Sequence, residues 1–312
     1  MPPHHRAMRL GKTTSQVSAF SPCNITGFFR IHDLPWNPLR VGSTGAGCAL
    51  DTGVTTRVTL RKTQTPGMVS TFNGQPLARE AVSNNVARRY VELDGRSWYA
   101  EISHESNLPP GCGYGTSGAG ALSLSLALNE AMGLSLSMSQ AAQIAHICEV
   151  ECKTGLGTVA SVFSGGFTAR TAPGAPEIGK VRKLDLPLSL RIVSAGFGPI
   201  STRAVLGDGR LKEVINTCGR ALEEKFLREA SHFNFMTLSR KFSNCIGLMS
   251  SRLRRVMNVL DLSGFTCSMM MLGESLFCLV PQEDASRVES ILRSCKLNPI
   301  TSKVARSGAH LI

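Results

Sequence analysis

Residues 109–120 read PPGCGYGTSGAG, and a run of helix-forming residues, ALSLSLALNEAM, follows at 121–132. The segment predicts a glycine-rich turn that opens a helix. Such a turn presents unpaired backbone N–H groups at the positive end of the helix dipole, which favours the binding of phosphate oxygens. Glycine suits the turn because a Cβ would keep the backbone from closing around a phosphate and would disfavour positive φ.

The turn has two interpretations. In the first it binds phosphate, and the hydroxyls of Thr116 and Ser117 bond phosphate oxygens or bind Mg²⁺. The segment lacks the lysine of a P-loop, and its glycine spacing is not that of a dinucleotide-binding fold. In the second interpretation the glycines form only a tight turn, and the helix packs closely through its small residues.

The candidate metal ligand is Glu149, on the next predicted helix at residues 138–153. By helical spacing this carboxylate shares a face with small residues, namely Ala142, Ala145 and Cys152. Burial there is costly unless a cation meets the charge, and a magnesium ion held between Glu149 and Ser117 would meet it. The alternative is a half-exposed glutamate paired with a nearby lysine or arginine.

Composition indicates a globular protein, since 42% of the 312 residues are hydrophobic and 18% are charged. The net charge of +12 favours anionic partners, although a general solubility bias explains it equally well. The RLRR run at 252–255 is interpreted as a solvated helix face, because it lacks the interleaved aromatics of a nucleic-acid site. No uninterrupted apolar run is long enough for a membrane span.

The ten cysteines show no C-x-x-C pair and follow no secretory signal. We therefore expect reduced thiols in a cytoplasmic protein. Intermixed strands and helices predict an α+β architecture, with a flexible leader over residues 1–17 and a boundary between two halves near 173–187. Among local elements, the pattern predicts a strand–turn–strand over 17–31, two short strands within 42–63 and a strand over 161–170.

The glycine segment resembles the Pro-x-x-x-Gly-x-Gly-x-Ser-Ser-Ala motif of the GHMP kinase superfamily. Four other stretches resemble archaeal pantoate kinases in the same order along the chain. They are FSPCNITGFFRI (20–31), AHICEVECKTGLGTVASVFSGGFTAR (145–170), GFGPISTRAVL (196–206) and CSMMMLGESLFCLV (267–280). The resemblance runs from about residue 17 to near the C-terminus.

This resemblance implies a two-domain GHMP kinase fold, with a ribosomal-protein-S5-like domain over 18–180 and a ferredoxin-like domain over 181–312. ATP would lie in the cleft between them, and its phosphates would be bound by the glycine loop. The loop residues implied are Pro110, Gly111, Gly113, Gly115, Thr116, Ser117, Gly118 and Ala119. Ser117 and Glu149 would bind Mg²⁺, and the γ-phosphate would pass to the 4-hydroxyl of pantoate on the route to coenzyme A.

The resemblance also assigns the acceptor site. Ser21, Asn24 and Thr26 of the first motif and Arg170 would contact pantoate, with the Arg170 guanidinium gripping the carboxylate through two hydrogen bonds. A structural role for Arg170 is the alternative. Thr158 would lie beside the acceptor hydroxyl.

Two positions depart from the family pattern. Thr158 replaces the acidic residue of Thr-Gly-Leu-Gly-Asp, and Asn24 replaces the histidine of Ser-Pro-x-His-Ile-Thr. Threonine is not a general base near neutral pH, but positioning and charge neutralisation supply most of the catalysis in phosphoryl transfer. The sequence leaves open whether another carboxylate, such as Glu151, compensates.

Three functions follow from these observations. The first is an ATP- and Mg²⁺-dependent pantoate kinase, and the second is a GHMP-type kinase of another small hydroxy acid or alcohol. The third is a weakly active or non-catalytic ligand-binding homologue. We expect a small-molecule substrate and neither nucleic acid nor membrane as a partner, and the sequence leaves open whether the protein is a homodimer.

Overall fold

The computed structural model of this chain describes residues 14–187 and 189–312. Residues 1–13 of the expected leader lie outside the described residues. The other four residues of that leader belong to the first strand, in which they pair with Val58–Arg61 of the neighbouring strand. The first strand therefore begins at Thr14.

The first sheet has eight strands, which are β1 (Thr14–His32), β2 (Gly42–Lys62), β3 (Gly67–Phe72), β4 (Gln75–Pro76), β5 (Trp98–Glu105), β6 (Phe167–Ala172), β7 (Lys180–Leu184) and β12 (His310–Leu311). Their order is β12-β1-β2-β5-β3-β4, with β6 paired to β2 and β7 paired to β6. All pairs are antiparallel except β3–β5, which is parallel.

The second sheet has four strands, which are β8 (Leu190–Pro199), β9 (Cys267–Met269), β10 (Gly273–Pro281) and β11 (Ile300–Ser302). They are antiparallel and lie in the order β11-β8-β10-β9. The division of the chain into domains at residue 180 stays a prediction. Strands β7 and β12 both pair within the first sheet, so that sheet takes in residues from beyond the predicted boundary.

Nine helices cover the sheets of the described chain. They are α1 (Val82–Asp94), α2 (Thr116–Met132), α3 (Met138–Cys152), α4 (Thr158–Ser164), α5 (Thr202–Gly207), α6 (Gly209–Arg228), α7 (His232–Cys245), α8 (Ser251–Leu262) and α9 (Gln282–Ser294). No helix among the described residues is long and apolar enough to cross a membrane.

Helices α1, α2 and α3 form a layer on the first sheet around one apolar core. A second core joins the two halves, because Phe28 of β1 packs its ring against Phe226 of α6 and Phe235 of α7. The strand that carries the first sequence motif is therefore held by helices from the later half of the chain. This packing places β1 along the boundary between the halves.

Several local predictions are confirmed and others are wrong. Ser137 and Gln140 form the capping box at the start of α3. Residues 14–32 and 42–62 form two long strands rather than four short ones, because register shifts between Pro22 and Asn24 and between Thr26 and Phe28 absorb the irregularity. The predicted strand over 161–170 begins instead as helix α4, and β6 starts only at Phe167.

The expectation that all cysteines are reduced is wrong for one pair. Cys218 of α6 and Cys245 of α7 form a disulfide, with their Cα atoms 6.1 Å apart. Packing of α6 against α7 brings the two residues within the usual disulfide range, although 27 positions separate them in the chain. The other eight cysteines are free.

Candidate active site

The glycine segment closes tightly and then opens α2. Gly111, Gly113 and Gly115 all have positive φ, and Gly115 is the N-cap residue of the helix. No side chain caps this end of α2, as is also the case for α1, α4 and α9. The first backbone N–H groups of α2 are thus available to an anion.

Residues from both halves of the chain line a cleft at this loop. The Tyr114 hydroxyl lies 2.9 Å from Ser194 Oγ of β8, and Met271 N donates to the Thr26 carbonyl at 3.1 Å. These contacts fix the loop and β1 against the second sheet. The described residues that line the cleft are Thr26, Phe29, Ser43, Gly111, Gly113, Gly115, Thr116, Ser117, Thr154, Gly155, Leu156, Gly157, Thr158, Arg170, Thr202, Leu206, Met271 and Leu272.

Glu149 lies beneath the floor of the cleft, almost fully buried at 1% exposure. Neither carboxylate oxygen has a hydrogen-bond partner among the described residues. Burial raises the pKa of Glu149 to about 8, and the nearby backbone N–H of Val159 opposes this shift without forming a hydrogen bond of normal geometry. Two glycines make room for the carboxylate, since a Cβ at Gly155 or Gly118 would lie 2.3 or 2.8 Å from its Oε1.

Thr158 begins α4 and packs against the glycine loop. A Cβ at Gly115 would lie 2.7 Å from Thr158 Cγ2 and 3.6 Å from its hydroxyl oxygen. A Cβ at Gly118 would lie 2.8 Å from both Thr158 Cβ and Glu149 Oε1, so these two side chains are close neighbours. Glu151 does not line the cleft, and its exposed carboxylate binds Arg89 at 2.6 and 2.7 Å.

Arg170 is the one charged side chain among the described residues that line the cleft. It is buried, and its guanidinium donates only to neutral groups, the Ser43 carbonyl at 3.3 Å and Ser161 Oγ at 2.8 Å. Burial lowers the pKa of Arg170 to about 10, and the charge of Glu223 partly opposes this. A buried arginine without a carboxylate partner is suited to receive an anionic ligand.

The predicted site residues divide into three groups. Those that line the cleft are Gly111, Gly113, Gly115, Thr116, Ser117, Thr26, Thr158 and Arg170. Glu149, Gly118 and Asn24 lie directly behind the lining and contact it. Ser21, Pro110 and Ala119 do not line it, and the Ser21 hydroxyl instead donates to the Pro22 carbonyl at 3.1 Å.

Sequence reasoning missed Ser43. Its hydroxyl and Arg170 Nε would lie 2.2 and 2.7 Å from a Cβ at Gly157, so both face the same corner of the cleft. Strand pairing brings them together, because β2 and β6 align Gly45 with Arg170. Thr202, Met271 and Leu272 from the later half also line the cleft, and the sequence marks them only as members of the stretches 196–206 and 267–280.

The donor set fits Mg²⁺ and ATP phosphates. Mg²⁺ prefers oxygen ligands, and Glu149 supplies a buried carboxylate with no other partner beside the hydroxyl-bearing first turn of α2. The backbone at Gly115 has no Cβ that would fill the space beside Thr158. These two observations are independent of each other.

The chain is similar to several known proteins. The GHMP kinases N terminal domain matches residues 78–166. A pantoate kinase of Thermococcus kodakarensis is 34% identical over 285 residues, which cover 90% of this chain and 93% of that protein. One of Methanocaldococcus jannaschii is 33% identical, covering 91% of this chain and 99% of that protein.

A solved structure described as a phosphotransferase related to the CoA biosynthesis pathway is also similar. It has a TM-score of 0.87 and 31% identity, covering 95% of this chain and 98% of that one.

Proposed function

Since this chain belongs to the pantoate kinase family of the GHMP kinases, we propose that it uses ATP to phosphorylate the 4-hydroxyl of pantoate. The observation that carries the proposal is the presence of two buried groups, a carboxylate and a guanidinium, at one cleft. The carboxylate of Glu149, which has no hydrogen-bond partner among the described residues, lies behind the glycine loop, and the guanidinium of Arg170, which donates to the neutral Ser43 carbonyl and Ser161 Oγ, lines the cleft. The first suits a metal–nucleotide complex and the second suits an acceptor that carries its own carboxylate.

Gly115, Thr116 and Ser117 would bind the phosphates of ATP through backbone N–H groups and hydroxyls at the start of α2. Glu149 and Ser117 would hold Mg²⁺, which neutralises charge on the phosphates during transfer. The environment of Glu149 supports this proposal, because its carboxylate is buried without a hydrogen bond and would gain a partner from a bound cation.

Arg170 and Ser43 would bind the pantoate carboxylate at the corner beside Gly157. A guanidinium that donates two parallel hydrogen bonds fixes the orientation of a carboxylate, and so it would aim the far hydroxyl at the glycine loop. The apolar side chains of Phe29, Leu206 and Leu272 also line the cleft and suit the methyl groups of pantoate.

Thr158 would hold the acceptor hydroxyl by a hydrogen bond. The reaction forms a bond from the hydroxyl oxygen to the γ-phosphorus, breaks the bond from that phosphorus to ADP and releases the hydroxyl proton. No carboxylate lines the cleft within the described parts of the chain, so the side chains there orient the hydroxyl rather than take its proton. A loose transition state tolerates this, because little charge develops on the attacking oxygen before transfer.

The experiment is an assay of the purified protein with ATP, Mg²⁺ and pantoate, with phosphorylated product identified by mass spectrometry and ³¹P NMR. Homoserine and mevalonate serve as competing acceptors. We expect phosphorylation of pantoate, and we expect Glu149→Gln to abolish it. Glu151→Gln is the matched control on the same helix, because Glu151 is exposed and binds Arg89. Transfer to another acceptor but not to pantoate would contradict the proposal.

A further inference from the structure

We infer that Ser161 is a positioning residue for Arg170, and that helix α4, which carries both Ser161 and Thr158, sets the separation between the carboxylate and the hydroxyl of the acceptor. The site therefore selects hydroxy acids by the distance between these two groups. The class that it takes has the hydroxyl on the fourth carbon, as in pantoate. The inference rests on the proposed function and deepens it.

The hydroxyl of Ser161 is directed at Arg170. Ser161 is fully buried, and its Oγ accepts a hydrogen bond from Arg170 Nη1 at 2.8 Å. Because serine is neutral, this bond fixes the direction of the guanidinium without neutralising its charge. The carboxylate of Glu223 lies near enough to influence the charge of Arg170, but it binds Arg30 at 3.3 Å. The charge of Arg170 is therefore left for an acceptor.

Arg170 also keeps donors for a ligand after its internal hydrogen bonds have formed. A guanidinium has five N–H donors. In Arg170, Nε donates to the Ser43 carbonyl at 3.3 Å, and Nη1 donates one proton to Ser161 Oγ. Nη2 forms no hydrogen bond with any residue that the structure describes. The protons of Nη2 and the second proton of Nη1 are thus available to a carboxylate in the cleft.

Helix α4 connects the two ends of the proposed acceptor site. Thr158 is its first residue and lines the cleft, and Ser161 follows three positions later on the same face. A helical rise of about 1.5 Å per residue separates the two by about 4.5 Å along the axis. The backbone N–H of Ser161 closes this turn by donating to the Gly157 carbonyl at 3.2 Å. The residue that orients Arg170 is therefore one helical turn from the residue at the acceptor hydroxyl.

Packing holds α4 and Arg170 in place relative to each other. Val159 and Val162 of α4 are fully buried in the core that α4 shares with α2, and the Ala309 N–H donates to the Val162 carbonyl at 3.2 Å. A Cβ at Gly157 would lie 2.7 Å from Arg170 Nε and 3.2 Å from its Cδ, so the backbone before α4 packs closely against the arginine. Neither group can shift without losing these contacts.

A fixed separation rejects acceptors of a different length. When the carboxylate binds Arg170, a shorter acid does not bring its hydroxyl to Thr158, and a longer acid must bend against the apolar lining at Phe29 and Leu272. A misplacement of about 1 Å at the reacting atoms can lower the rate about a hundredfold. One carbon more or less in the acceptor should therefore be detected by the enzyme.

The first experiment uses the wild-type protein with ATP and Mg²⁺. The acceptors are pantoate and three unbranched acids, namely 3-hydroxypropanoate, 4-hydroxybutanoate and 5-hydroxypentanoate. We expect kcat/KM for 4-hydroxybutanoate to exceed that for the shorter and the longer acid by about tenfold or more. This series needs no substitution, so it tests the selection even if variants at position 161 do not fold.

The second experiment compares Ser161→Ala with Ser161→Thr, which keeps the hydroxyl. In Ser161→Ala the guanidinium is free to turn, so we expect KM of pantoate to rise about tenfold while KM of ATP stays within about twofold of wild type. The preference for 4-hydroxybutanoate should fall to about threefold or less. Ser161→Thr should keep both properties, and Ser164→Ala is the matched control, because Ser164 lies on the same helix and does not contact Arg170.

The inference is overturned if the wild type uses the three unbranched acids equally. It is also overturned if Ser161→Ala raises KM of pantoate and KM of ATP alike, or if it leaves the preference for chain length unchanged. Loss of preference in Ser164→Ala as well would have the same meaning, since that indicates a general effect on α4. A wild-type protein that phosphorylates neither pantoate nor any of these acids overturns the proposed function itself.

Discussion

The carboxylate of Glu149 occupies the space that a side chain of Gly155 would need. A Cβ at Gly155 would lie 2.3 Å from Glu149 Oε1 and 2.9 Å from Oε2. Gly155, the first glycine of the Thr-Gly-Leu-Gly stretch, thus leaves the room that the candidate metal ligand Glu149 occupies. Position 155 therefore tests the metal site without removing any ligand.

We expect Gly155→Ala to raise the Mg²⁺ concentration needed for half-maximal activity, because the methyl group forces the carboxylate to move. The clash falls on the end of a flexible side chain, so the melting temperature should change little. Gly207→Ala is the control, since a Cβ there meets nothing within 4 Å. An unchanged Mg²⁺ requirement in Gly155→Ala would show that the metal is not held by Glu149.

We expect Glu149 to make the free energy of unfolding depend on pH when no metal is bound. Burial raises the pKa of Glu149 from 4.5 to about 8, so the folded protein keeps a proton that the unfolded chain has lost. Stability should therefore fall as pH rises between these two values, by about 1.4 kcal/mol for each pKa unit at most. Glu149→Gln has no proton to lose and avoids this cost.

The measurement is thermal unfolding in EDTA from about pH 5 to about pH 8. We expect the melting temperature of Glu149→Gln to exceed that of wild type by a margin that grows with pH. Glu151→Gln on the same helix should show no such trend, because Glu151 is exposed. A constant difference across the range would contradict the raised pKa of Glu149.

The local parts of the site could be predicted from the sequence, and the long-range parts could not. Helical spacing and glycine content are local signals, and they predict the start of α2 and the buried face of Glu149. The meeting of Ser43 with Arg170 depends on the pairing of β2 with β6 across more than a hundred positions, which no local pattern encodes. Residues 161–164, which the pattern predicts to begin a strand, instead complete helix α4, because tertiary packing overrides local propensity.

The disulfide between Cys218 and Cys245 should contribute measurably to stability. It closes a loop of 27 positions, for which chain entropy predicts about 3.5 kcal/mol. We expect the double variant Cys218→Ser/Cys245→Ser to unfold at lower denaturant concentration than wild type. Cys295→Ser is the control, since that thiol is free. If reductant leaves the unfolding of wild type unchanged, these two cysteines are thiols in solution.

Gly115 can be tested against a glycine at the other end of its own helix. Gly115 and Gly133 have φ of 65° and 66°, so alanine is similarly strained at both. Only at Gly115 would the Cβ also meet another group, Thr158 Cγ2 at 2.7 Å, whereas nothing lies within 4 Å at Gly133. The two substitutions therefore carry a similar cost in backbone strain, and only Gly115→Ala also introduces a close contact at the cleft.

We expect Gly115→Ala to weaken the binding of a non-hydrolysable ATP analogue about tenfold or more in a calorimetric titration, because its methyl group would displace Thr158 and the loop. Gly133→Ala should bind the analogue like wild type at a similarly lowered melting temperature. Equal affinities in the two variants would place the nucleotide away from the loop.

Arg170→Lys distinguishes recognition of the acceptor from a structural role. Lysine keeps the positive charge but cannot donate the parallel pair of hydrogen bonds that a carboxylate accepts from guanidinium. We expect KM of pantoate to rise about tenfold or more, with KM of ATP within about twofold of wild type. Arg182→Lys is the control, because Arg182 is exposed on the neighbouring strand β7.

Arg170 also donates to Ser43 and Ser161, so Arg170→Lys removes internal hydrogen bonds as well. An equal rise in both KM values, with a lower melting temperature, would therefore mean that Arg170 supports the sheet rather than binding pantoate.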